Sequence, residues 1–155
     1  MAFFVDFMYN KNILRRLAGN HFSSLGQVLR RPPPGGPMKI QTLVDLLGAD
    51  VLCGADLLDG NVQSACGSDM MSDVLAYVKE QAVLLTGLVN PQVIRTAMMM
   101  DMHCIVFVRG KTPTEEMIAL AEESGIVLLS TEERMYGACG KLYAAGLGGG
   151  EEGDV

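Results

Sequence analysis

The chain contains no tryptophan, and aromatic residues make up only 6% of its 155 positions. With 49% apolar content it still has enough material for one real core, so a soluble globule is expected rather than a disordered chain. Histidine occurs twice, as His21 and His103, which leaves no neighbouring ligands for a zinc site of the usual spacing. No metal and no cofactor are expected. Cysteine is sparse too: Cys53, Cys66, Cys104 and Cys139 lie far apart with no CxxC pair, and two sit in apolar runs. That distribution points to reduced thiols in a cytoplasmic protein. No GxxxxGK[ST] phosphate loop occurs, despite 18 glycines. The apolar start, residues 2–8, is too short to span a bilayer, and its positive charge follows it where a secretory signal carries charge in front. Neither export nor a membrane anchor is expected.

Positive charge is also scarce where it would matter for nucleic acid. Residues 38–147 hold seven Lys or Arg against fourteen Asp or Glu, and the tail adds Glu151, Glu152 and Asp154. Such a domain repels phosphate backbones and lacks the counterion release that drives most nucleic-acid binding, so no nucleic-acid partner is expected. The first 37 residues differ, with five cations against Asp6 and a run of Arg30, Arg31, three prolines and two glycines before Pro37. Three regions follow from this: a leader over 1–37, a folded domain over 38–147, and a disordered glycine and acidic tail over 148–155. The leader is either a natural flexible segment or an extension ahead of a true start at Met38.

Within the domain, Ile40, Leu43, Val44, Leu46 and Leu47 have helical spacing and Gly48 stops them. Residues 51–53 and 62–66 are short strand candidates separated by a turn-prone stretch. Ser68 or Ser72 is expected to cap a helix carrying Met71, Val74, Leu75 and Val78, before an apolar strand over 82–86. Asn90-Pro91 signals a cap with proline at the first helical position, opening a helix through Met100. A buried strand over 104–108 follows, then Thr112-Pro113-Thr114-Glu115 as a capping box, a helix closed by Gly125 and a strand over 126–129. Thr131 is expected to cap the last helix, with Glu132 and Glu133 complementing its dipole and Gly146 ending it.

Strands alternating with helices imply an α/β fold with a small, mostly parallel sheet and helices on its faces. In such sheets ligands gather beyond the carboxyl ends of the strands. Those positions are Thr86, Gly87, Asn90, Arg109, Gly110, Lys111, Ser130 and Thr131. Arg109 and Lys111 with the Gly110 amide offer an anion two cations and a donor, or else form a solvated turn. Thr86-Gly87 with Asn90 cradles a phosphate, or is a tight turn and a cap. Ser68, Asp69, Ser72 and Asp73 are best explained as helix-capping groups. A serine nucleophile would need a base, and His103 stands ahead of its strand at the opposite end of the sheet, so no catalysis is expected. Met98, Met99, Met100 and Met102, with Met70, Met71 and Met117, either fill the core or cover a subunit contact.

The segments 68–76 (SDMMSDVLA), 85–96 (LTGLVNPQVIRT), 105–113 (IVFVRGKTP) and 115–129 (EEMIALAEESGIVLL) together resemble the DRTGG domain, a family related to the N-terminal domain of HPr kinase/phosphorylase. The resemblance covers about 110 residues in order and spacing and leaves out the leader and the tail. It implies a regulatory or dimer-forming module, since the family occurs alone, between CBS domains of regulated pyrophosphatases and ahead of phosphotransacetylase domains. Some stand-alone members are encoded near hydrogenase-type redox enzymes. Where many relatives carry Asp-Arg after the Thr-Gly turn this chain has Leu88-Val89, and where they carry Thr-Gly-Gly it has Val108-Arg109-Gly110. The resemblance therefore implies a stand-alone homodimer that senses a small anionic, nucleotide-like ligand or regulates a partner enzyme. The alternative is a docking subunit without a ligand, accessory to a redox enzyme complex. If translation starts at Met38, the intact mass of the native protein will lack residues 1–37; a mass that includes them removes that expectation.

Overall fold

A computed structural model describes residues 36–78 and 81–150. The segments 1–35 and 151–155, which hold most of the expected leader and tail, lie outside them. The chain enters through β1 (Met38–Lys39) and turns at once into α1 (Ile40–Leu47). Ile40, Leu43 and Leu47 form the buried stripe of this helix, and Gly48 ends it in the left-handed conformation, its amide donating to Val44 O. There follow β2 (Asp50–Cys53), a 3-10 turn, β3 (Asn61–Val62), β4 (Ser64–Gly67) and α2 (Met71–Tyr77). The second half alternates without interruption: β5 (Ala82–Thr86), α3 (Pro91–Met99), β6 (Cys104–Phe107), α4 (Glu115–Glu123), β7 (Val127–Ser130) and α5 (Met135–Ala144).

Five strands form one sheet in the order β2-β7-β6-β5-β4, all parallel except β2, which runs antiparallel to β7. The fold is thus α/β with a mostly parallel sheet. Period-two alternation divides the strand side chains between two cores. Ala82, Leu84, Ile105, Phe107 and Leu128 pack against α2, α3 and α4 through Val74, Val93, Ile94, Met117 and Ala121. Val83, Leu85, Cys104, Val106, Val127 and Leu129 point the other way, onto Leu43 and Leu47 of α1 and Ala138 and Leu142 of α5. Burial on both faces is why these strands are continuously apolar. The three crossovers β4-α2-β5, β5-α3-β6 and β6-α4-β7 stay on one face. After β7 the chain passes to the other face, where α5 packs on α1, β4 and β5.

All four cysteines are free thiols. Cys104 is fully buried in the middle of the sheet, where burial and then the neighbouring Cys53 push its thiol far above the usual range. Cys66 and Cys139 are half-buried, and burial raises both.

Several local expectations need correction. Residues 62–66 do not form one strand: β3 pairs with β1 in a separate two-stranded sheet, and the Gln63 amide turns to Gln81 O before β4 begins. Neither Ser68 nor Ser72 caps α2; Met70 holds that position with no side-chain bond, and Ser68 Oγ accepts from the Met70 amide inside the preceding turn. Thr114, not Thr112, caps α4 by accepting from the Met117 amide, so Pro113 stands before the helix rather than inside it. Thr131 does not cap α5, whose N-cap is Arg134 without a side-chain bond. Asn90 does cap α3, accepting from the Gln92 amide at 2.8 Å with Pro91 at the first position. Among the methionines, Met71, Met102 and Met117 are buried, whereas Met70, Met98 and Met99 are exposed. Past α5, Gly148 O accepts from the Ala65 amide along the outer edge of β4. Among the described residues no helix is long and apolar enough to cross a membrane.

Truncating Leu84→Ala, at the centre of the three-helix core, should cost about 2–5 kcal/mol by urea unfolding. Tyr77→Ala, on a side chain that is 82% exposed, should stay within about 0.5 kcal/mol of wild type.

Candidate functional site

The carboxyl ends of β4, β5, β6 and β7 open onto the same edge of the sheet, and one carboxylate ties three of them together. Asp69, in the turn between β4 and α2, accepts from Thr86 Oγ1 at 3.0 Å and from the Gly87 amide at 2.6 Å through Oδ1. Its Oδ2 accepts from Arg109 Nη2 at 3.1 Å. Burial by itself would raise the Asp69 pKa, but the Gly87 amide, the Arg109 guanidinium and the Thr86 hydroxyl outweigh it and hold the carboxyl below its usual range. The pair is about half exposed on both sides, so its own contribution to stability is small, about 0–1 kcal/mol.

Arg109 reaches Asp69 by lying across Gly87. A Cβ on Gly87 would run into the guanidinium, so the bare glycine is what lets Arg109 lie there. Arg109 itself has φ 65°, and Gly110 has φ 61°, both in the left-handed region. With the Lys111 amide donating to Val108 O at 3.4 Å, the turn has the φ signature of type I′. An arginine in this conformation costs about 1–2 kcal/mol relative to an ordinary backbone. Two bonds keep it there: the Arg109 amide donates to Glu133 O at 2.8 Å and the Gly110 amide to Thr131 O at 2.9 Å. The Gly110 amide is therefore not free for an anion, which removes the donor from the anion-binding alternative read for this turn.

The rest of the strand-end set is linked to this turn. Ser130 Oγ donates to Lys111 O at 2.9 Å. Thr131 Oγ1 donates to Leu47 O at 2.8 Å and accepts from the Glu133 amide at 3.2 Å, which locks the loop after β7 to the end of α1. Thr86, Gly87 and Arg109 thus meet at Asp69. Gly110, Lys111, Ser130 and Thr131 form the adjoining loop pair, and Asn90 serves its helix. Among the described residues Lys111 makes no ion pair. Beside Thr131 a surface cavity of about 650 Å³ opens between the end of α1 and the start of α5, with Glu132, Arg134 and Tyr136 in its wall. It adjoins the Arg109 turn but does not include the Asp69 cluster. No group of three or more His, Cys, Asp or Glu among the described residues is arranged to hold a metal ion.

Asp69 is the residue that sequence reasoning misplaced, by reading it as a helix cap. The available signal was its position directly past β4, since the strand-end rule applied to three strands extends to every parallel strand of the sheet.

A family model described as the DRTGG domain matches residues 42–145, well over half of the sequence. This chain belongs to the DRTGG domain family. No match is found among curated proteins. A solved structure with the same fold is that of the CBS and DRTGG domains in the regulatory region of Clostridium perfringens pyrophosphatase, complexed with the activator diadenosine tetraphosphate. The two align with a TM-score of 0.58 at 16% identity, over 71% of this chain and 47% of that one. This DRTGG chain therefore spans about half the length of that regulatory region.

The lowered Asp69 pKa has a defined sign. Its stabilising contribution is present above the ordinary carboxylate value of 3.8 and is lost as pH falls below it towards the folded-state value. The stability gap between wild type and Asp69→Asn should be constant above about pH 5 and narrow in acid, as read by urea midpoints. Gly87→Ala should displace the guanidinium rather than unfold the protein. Its cost in melting temperature should largely vanish in an Arg109→Ala background, a non-additivity that a double-mutant cycle measures.

Proposed function

We propose that this DRTGG domain is a non-catalytic regulatory module that senses a small anionic, nucleotide-like ligand at the carboxyl ends of β5, β6 and β7. The observation that carries this reading is the braced turn after β6, which sets two cations, Arg109 and Lys111, two residues apart at the strand ends on a backbone bonded to Thr131 and Glu133. Two cations on a backbone held by cross-loop hydrogen bonds form a pre-set receptor for phosphate oxygens. The neighbouring structure supports the ligand class, because the regulatory region it describes was complexed with an activator made of two adenosines and four phosphates. Nothing in the strand-end set pairs a nucleophile with a general base: Ser130 and Thr131 donate to backbone carbonyls, and His103 lies at the other end of β6 beside Asp101. The module acts as a homodimer or on a partner enzyme in the cytoplasm.

A second reading rests on the exposed Met98 and Met99 at the end of α3 and Tyr77 at the end of α2. Adaptable apolar side chains of this kind suit a docking subunit that needs no ligand, accessory to a redox enzyme complex.

Thermal unfolding of the full chain with diadenosine tetraphosphate, AMP and NAD(H) separates the two. A ligand at 100 times its dissociation constant should stabilise the fold by about 2.7 kcal/mol, a shift of several degrees. The response should disappear in the Arg109→Ala, Lys111→Ala double variant. Silence with every nucleotide, together with loss of a partner on changing Met98 and Met99 to serine, would favour docking.

A further inference from the structure

The donors that meet at Asp69 come from two different strand ends and a backbone amide, and they converge on a single anionic group. A main-chain N–H, a hydroxyl and a guanidinium are the donor types that proteins aim at phosphate oxygens. Here they hold a carboxylate of the same chain at 2.6, 3.0 and 3.1 Å. We propose that Asp69 is an intramolecular stand-in for the ligand: its carboxylate occupies an oxyanion site made by the Gly87 amide, Thr86 Oγ1 and Arg109, and a phosphate-type oxyanion enters by displacing it. The proposal rests on the strand-end reading of the function and adds the way the site is closed.

Three features favour a displaceable stand-in over a purely structural tie. The Asp69 and Arg109 side chains are 47% and 43% exposed, so solvent and solutes reach the contact without opening the core. An ion pair in that setting adds little to stability, yet the fold accepts a left-handed arginine and a bare glycine beneath it to aim the guanidinium. Finally, Asp69 is delivered by a short turn between β4 and α2, and not by either element that supplies the donors. Ser68 pins the near end of this turn, its amide donating to Leu85 O and its hydroxyl bonding Met70. Displacing Asp69 therefore asks for a rotation of its side chain alone, with the backbone of the turn and the donors at Thr86 and Gly87 left in place. With Asp69 in place an entering oxyanion meets a like charge and occupied donors; with Asp69 displaced it finds three donors already aligned. The closed state lowers apparent affinity by the fraction of molecules that are closed.

Inorganic phosphate is the probe, applied to the full chain at constant ionic strength with sodium chloride as the control. Asp69→Ala and Asp69→Asn should each acquire a saturable, phosphate-dependent rise in melting temperature, with an apparent dissociation constant about tenfold or more below that of wild type. Adding Arg109→Ala to either should abolish the gain. Equal phosphate responses in wild type and both variants would overturn the proposal, because Asp69 would then not be the occupant. A folded Asp69→Asn without a response would overturn it as well, and this variant keeps the test open if Asp69→Ala fails to fold. The outcomes also separate this idea from the one beneath it. Nucleotide binding by wild type with no phosphate gain in the variants removes the stand-in and leaves the sensor. Phosphate gain in the variants with no nucleotide response in any form does the reverse.

Discussion

A sheet that is apolar on both faces has nowhere to put polar chemistry except at its ends. In β5, β6 and β7 almost every side chain is shut between α2, α3 and α4 on one side and α1 and α5 on the other. The backbone polar groups of these strands are spent on their neighbours. Polar side chains near the sheet are therefore pressed outward to the strand termini, where Thr86 and Arg109 meet Asp69 and where Ser130 and Thr131 stand in the adjoining loop pair. The fold supplies rigidity and alignment; the last residues of the strands and the loops after them supply the groups able to recognise anything.

The point at which α5 crosses to the opposite face from α4 shapes this end of the molecule. The cavity beside Thr131 lies on the face that α5 joins, between the end of α1 and the start of α5. Thr131 is pulled towards Leu47 O, Arg109 towards Glu133 O and Gly110 towards Thr131 O, so the loops after β6 and β7 act as one braced unit. That bracing sustains a left-handed arginine, and it means that substitutions at Thr131 or Glu133 act on the site through the backbone of Arg109.

Much of the fold was legible because its signals are local. The apolar strands expected over 82–86 and 104–108, the Asn90-Pro91 helix start and the Gly48 stop each depend on a few adjacent residues, and each stands within a residue of where the sequence places it. What the sequence hid was long-range. The direction of β2 leaves no trace in its composition, because an antiparallel edge and a parallel one demand the same apolar residues. Thr131 looks like a cap, but its hydroxyl is taken by a carbonyl 84 positions away. Asp69 has the local features of a helix start, yet its partners lie 18 and 40 positions along the chain. Local rules assign such a group its nearest employment, and only the closed sheet shows a competing one. The departures from the DRTGG motif were visible in the sequence; that an arginine would take up a glycine-like conformation at position 109 was not.

The four thiols form a graded set of depth markers along one sheet. Cys104 is fully buried in β6, Cys53 is nearly as deep in the edge strand β2, and Cys66 and Cys139 are half-buried beside the β4 edge. Because burial suppresses the thiolate in each, modification by a maleimide is limited by how often that part of the sheet opens. The protein thus carries its own ruler for unfolding: the order in which the four positions acquire label distinguishes fraying from the β4 edge from collapse of the whole core, without any change to the sequence.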